Sequence, residues 1–157
     1  EAQLDRFLMR LEIGYPGRDA EREILETHGD NIEPADSLPT VVTAEQVNEM
    51  SASLQSIYLA PALRDYLLDL AAATRRHTSL ALGLSPRGLL ALQRVVRAQA
   101  ASQGRTYATP DDVKMMAPYV LSHRLLTTPE SRMHGLRTTD VVTEILDGVP
   151  VPRPSGS

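Results

Sequence analysis

Apolar residues return every three or four positions along most of this chain, and the period drops to two only near its start. The cleanest stretch lies between Ser85 and Gly104. Leu89, Leu92, Val96 and Ala100 form one stripe there, with Val95 on its flank, so one side of a predicted helix faces a core. Ser85 suits the cap, Pro86 the first helical position, and Gly104 a left-handed stop.

The same spacing predicts the other helices. Pro61 opens one carrying Leu63, Tyr66, Leu67, Leu70, Ala71 and Thr74, with Arg75, Arg76 and His77 in its last turn, where cations suit the helix dipole. Thr43 and Gln46 make a capping box before Val47, Met50 and Leu54, and this helix reaches about Ser56. Residues 18–27 form a short charged helix with Ala20, Ile24 and Leu25 inward, stopped by Gly29; residues 29–40 are a linker. Thr109 caps a helix that ends before Pro118, with Asp111 and Asp112 in its first turn and Val113, Met116 and Ala117 inward. Residues 119–126 add a further turn or two, 127–136 read as loop, and 138–146 form a last helix on Val141, Val142, Ile145 and Leu146.

Period two appears in Phe7, Met9, Leu11 and Ile13, alternating with Leu8, Arg10 and Glu12, and predicts a strand ended by Gly14-Tyr15-Pro16-Gly17. A lone strand needs a partner, so it pairs with something outside the chain or lies at its edge. Ile57 to Leu59 reads as a brief extended link. The pattern as a whole is all-α with one short strand at the front.

Composition sharpens this reading. With one Phe and no Trp in 157 residues, the core is built from Leu, Val, Ile, Ala and Met, which favours packed helices over a sandwich. No Cys is present, which excludes disulfides and thiolate metal sites. No apolar run approaches the roughly 20 residues that span a bilayer, and no secretory signal opens the chain, so no membrane span is expected. The net charge of −4 argues against nucleic acid as a partner, even though all but one of the 16 basic residues are Arg. Because the first residue is Glu rather than Met, the chain is expected to be a piece of a longer protein.

Little classical chemistry is visible. The four His residues have no metal-ligand spacing, and there is neither a Gly-x-Ser-x-Gly elbow nor a Gly-x-x-x-x-Gly-Lys-[Ser/Thr] phosphate loop. Asp111 and Asp112, one apart on a helix, point about 100° away from each other and serve the cap rather than acid/base work. Arg87 is the residue to explain. A cation in a helix's first turn costs roughly 0.3–1 kcal/mol relative to an anion, whereas an arginine fork beside free amides suits a phosphate. It either takes one or lies solvated with its stem over apolar surface; spacing alone does not choose.

Three segments in register carry a resemblance. Ser85-Pro86-Arg87-Gly88 with its Leu-Leu-Ala-Leu continuation, Tyr107-Ala108-Thr109-Pro110-Asp111-Asp112-Val113, and the opening Glu1-Ala2-Gln3-Leu4-Asp5-Arg6-Phe7 resemble the MoxR family of AAA+ ATPases. The resemblance implies that residues 1–14 end a nucleotide-binding core, 15–40 connect, 41–148 form a helical lid, and 149–157 are a disordered tail. It implies that Arg87 is sensor 2, reaching the γ-phosphate, with Tyr15 and Pro16 also at the nucleotide. Arg6 stands where the family carries an arginine finger for the neighbouring subunit; read by itself, it would pair with Asp5 or Glu1 at the surface. Gly88 replaces the Ala that often follows the sensor arginine.

The resemblance further implies ATP and Mg in the full-length protein, with none expected on this piece, and other AAA+ subunits, in a hexamer, as partners. A protein client, a von Willebrand A-type domain protein among the candidates, and a cytoplasmic chaperone or remodelling machine complete it. Two other classes stay open from the residues: a stand-alone interaction module of histone-like type, and a nucleic-acid binder using Arg87, Arg94, Arg97 and Arg105.

Overall fold

In the computed structural model, which describes residues 4–28 and 38–152, the predicted helical periods become helices almost throughout. They are α1 (Arg18–His28), α2 (Ala44–Ser53), α3 (Pro61–Arg76), α4 (Pro86–Ser102), α5 (Pro110–Leu121), α6 (Pro129–Met133) and α7 (Thr138–Gly148). Contacts divide the chain into two units, one of Glu1–Arg10 with Ser51–Ser157 and one of Leu11–Met50.

The larger unit is a helical bundle. α4 lies mainly against α5, and α3 and α7 close the remaining sides. α3 buries all six positions expected of it, and α7 buries Val141, Val142, Ile145 and Leu146. In α4 the buried set is Gly88, Leu92, Val95, Val96 and Ala100, while Leu89 is only partly covered, so the inward face is turned slightly toward Gly88 and Val95. Ser85 accepts from the Gly88 amide at 3.1 Å, and Gly104 closes the helix with φ +71°.

Extended Ile57–Leu59 behaves as predicted: Ile57 and Leu59 are buried, and Tyr58 between them faces out. Its backbone bridges to the segment before α5, with Tyr58 N–H donating to Thr106 O and Ala108 N–H to Tyr58 O.

Four expectations fail for identifiable reasons. Residues 7–13 do not form the predicted strand. Among the described residues no neighbouring strand is available to them; the Phe7 and Leu8 carbonyls accept from side chains instead, while Arg10 N–H donates to Tyr119 O. The small sheet lies elsewhere: β1 (Leu80–Leu82) pairs antiparallel with β2 (Leu126–Thr127), short segments whose periodicity was too brief to read. Pro118 does not end α5, which continues to Leu121; a proline in a helix removes one amide donor, and Ser122 reinforces the turn by donating through both N–H and Oγ to Pro118 O. Within 127–136, Thr128 caps the short α6 by accepting from Ser131 N–H, a signal hidden by the polar composition.

The smaller unit follows its local signals without gaining a core. The Thr43–Gln46 capping box forms reciprocally, at 2.8 and 3.3 Å. Yet Ile24, Leu25, Val47 and Met50, all predicted inward, are 46%, 78%, 45% and 52% exposed. The Gly29 stop and most of the 29–40 linker lie outside the described residues, as do Glu1 and the tail from Arg153. Among the described residues no helix is long and apolar enough to cross a membrane.

Candidate functional site

The N-terminal end of α4 is where the predicted site residues can be traced. Pro86 supplies the first turn without a donor, Ser85 takes the Gly88 amide and its carbonyl takes the Leu89 amide, so the helix end is capped from within. Arg87 projects from this turn, exposed, and its side chain has no hydrogen-bond or ion-pair partner among the described residues.

Next to it lies a group that sequence reasoning did not single out. Arg124, just past the end of α5, has a side chain only 2% exposed. Its Nε donates to Asp5 Oδ1 at 3.1 Å, Nη1 donates to Leu8 O at 3.2 Å and also to Val120 O, and Nη2 donates to Phe7 O. Burial pulls the Arg124 pKa below the ordinary arginine value, Asp5 opposes that, and the charge of Arg87 adds to the lowering. The guanidinium is charged, as arginine side chains stay protonated in proteins. His123 Nε2 also meets Phe7 O, at 3.1 Å.

The other oxygen of Asp5, Oδ2, accepts from Ser85 Oγ at 3.4 Å. One carboxylate therefore joins Arg124 to the cap of α4. Arg6, the next residue, ends a 3-10 turn (Leu4–Arg6) and is exposed, with no side-chain partner among the described residues. The expected surface pair with Asp5 does not form, because Arg124 and Ser85 hold that carboxylate; Glu1 lies outside the described residues.

The remaining candidates separate. Tyr15 and Pro16 belong to the Leu11–Met50 unit, where Tyr15 is 97% exposed. Arg105 donates to both oxygens of Asp112, at 2.5 and 2.8 Å, which removes it from the set of arginines open to an external phosphate. Arg94 and Arg97 line a groove of about 1140 Å³ on α4, together with Leu8, Met9, Leu90 and Met116, and Arg87 is not among its lining residues.

The Arg124 signal was present but faint: a lone arginine inside the apolar run from Tyr119 to Leu126. A single cation at the end of a helix normally reads as a dipole partner or a solvated residue, and only the fold brings Asp5, 119 positions away, to it.

Residues 72–145 match the AAA lid domain family, which is the part that runs from the end of α3 into α7 and includes this end of α4. The chain is 35% identical to YeaC of Bacillus subtilis over 97% of its length, and 32% identical to the chaperone MoxR1 of Mycobacterium tuberculosis over 98%. It spans 47% and 42% of those relatives, about half their length. The crystal structure of a "putative ATPase" from Cytophaga hutchinsonii superposes with a TM-score of 0.85 at 26% identity, covering 97% of this chain and 48% of that one. The fold and its matches define an AAA lid domain. More narrowly, the chain is similar to the MoxR-like AAA+ proteins.

Proposed function

We propose that this chain is the lid-bearing part of a MoxR-like AAA+ ATPase, closing over ATP bound in the intact protein and presenting Arg87 to the γ-phosphate as sensor 2. One observation carries the reading: Arg87 is a cation in the first turn of a long helix, exposed and without an internal partner, while Arg105 and Arg124 are both held by carboxylates. The dipole disfavours a lone cation there, and a polyphosphate reverses that preference by accepting from the guanidinium fork. The donor chemistry of Arg87 fits the phosphates of ATP.

Magnesium does not find a site in the same way. Among the described residues no group of three or more His, Cys, Asp or Glu side chains could hold a metal ion, and this reading leaves the Mg that accompanies ATP to the rest of the intact protein. In this reading Tyr15 and Pro16 also touch the nucleotide, and Arg6 is the finger offered to a neighbouring subunit of an oligomer, a hexamer in our proposal. The machine acts on a protein client as a chaperone or remodeller, with von Willebrand A-type proteins among the candidates.

The test is steady-state turnover of the intact protein. Arg87→Ala should lower kcat in the subunit that carries it, and Arg6→Ala in the adjacent one, by up to the ~10³–10⁵ associated with finger arginines. Mixing Arg6→Ala subunits with subunits disabled in the phosphate loop should restore activity at mixed interfaces. Wild-type turnover by Arg87→Ala, or no restoration on mixing, would overturn the respective assignment.

A further inference from the structure

Each of these two exposed arginines has neighbours in sequence that bond to, or lie close against, the same ion pair. On one side of Arg6 is Asp5, which pairs with Arg124 at 3.1 Å; on the other is Phe7, whose carbonyl accepts from Arg124 Nη2. Arg87 is bracketed likewise, by Ser85, which donates to Asp5, and by Gly88, where an added Cβ would stand 2.9 Å from Arg124 Cδ. Neither exposed side chain touches the pair's hydrogen bonds, but residues beside each of them meet the pair.

The energetics make this junction stiff. Arg124 has almost no contact with solvent, so separating it from Asp5 leaves a buried charge uncompensated, and its fork also holds the Phe7, Leu8 and Val120 carbonyls. A buried, multiply bonded guanidinium has one good arrangement, whereas an exposed arginine has many.

We propose that Asp5 is a positioning residue that ties the placement of Arg6 to that of Arg87, so that a lid movement at one ATP site is transmitted to the arginine offered to the next. The proposal rests on the roles given above to those two arginines. Asp5 contacts no nucleotide in it; it acts through Arg124 and the Ser85 cap.

The experiment uses the intact ATPase and two variants of Asp5. Asp5→Asn removes the charge, and Asp5→Glu keeps a counterion for Arg124 but lengthens the link by one methylene; both should lower kcat about tenfold or more while the KM for ATP stays within about threefold, the pattern of a lost transition-state contact. Thermal melts and oligomer size verify that both assemble, and the Glu variant keeps the test decisive if Asn does not.

Subunit mixing then separates positioning from plain structural support. Asp5→Glu is placed either in phosphate-loop-dead subunits, which only offer Arg6, or in active subunits, which use their own Arg87. Loss in both arms is expected. Wild-type kcat in every Asp5 variant that assembles, or loss confined to one arm, overturns the coupling even if Arg6→Ala and Arg87→Ala are inactive. If those two alanine variants are themselves fully active, the reading of the arginines falls first and the coupling falls with it.

Discussion

Gly88 sits where a methyl group would meet Leu84 Cδ1 at 2.4 Å and Arg124 Cδ at 2.9 Å. In an unencumbered helix, Gly→Ala stabilises by about 0.5–1 kcal/mol. Here Leu84 is buried and Arg124 is fixed by its carbonyl acceptors, so the neighbours have little room to give. Gly88→Ala should therefore lower the melting temperature of the chain, with an overpacking cost of about 1–3 kcal/mol, and a raised melting temperature would show that Leu84 and Arg124 repack freely. Asp5→Ala should be felt in the same melts, by about 1.5–3 kcal/mol, as for a lost hydrogen bond to a charged group.

At the scale of elements, α5 is fixed by its first turn as well as by its buried face. Thr109 and Asp112 form a reciprocal capping box, and Asp112 also receives Arg105. Burial pushes the Asp112 carboxyl upward, but the hydrogen bonds from Arg105 and Thr109 outweigh burial and hold it below its ordinary value. Its folded pKa thus lies below its unfolded one. The stability it contributes is complete above the unfolded carboxylate range, about 3.9, and is lost as pH falls through the folded value. Melting curves from neutral to strongly acidic pH should show this loss, and Asp112→Asn should be less stable at neutral pH and lose less on acidification. An unchanged acid slope in Asp112→Asn would place the sensitivity in another carboxylate.

For the whole molecule, the missing chemistry decides the expectation. The sequence holds no phosphate loop, and in the proposed reading Arg87 would offer a nucleotide one charge-assisted contact, worth about 1.5–3 kcal/mol. A dissociation constant of 1 mM corresponds to about 4.1 kcal/mol, so the isolated chain should bind ATP no more tightly than about millimolar. It should also give no turnover above a blank. Calorimetric titration and a phosphate-release assay check both, and turnover abolished by Arg87→Ala would show a complete catalytic centre in this chain.

How much of this was legible without coordinates depends on how local each cause is. The helices α3, α4 and α7, the start of α5, the Ser85, Thr43 and Thr109 caps and the Gly104 stop follow from spacing and single-residue conformational preference, which the sequence by itself determines, whereas the short α6 did not show in it. The resemblance carried by Arg87 and its flanking residues was legible for the same reason, since the motif is contiguous. Tertiary structure alone decided that the Phe7 and Leu8 carbonyls are held by the Arg124 side chain rather than by a strand ladder, that Leu80–Leu82 meets Leu126–Thr127, and that α5 continues through Pro118. It alone brought Asp5, Ser85 and Arg124 together. Those outcomes turn on which distant donors reach which carbonyls and carboxylates once the apolar faces have packed, and no local period encodes that geometry.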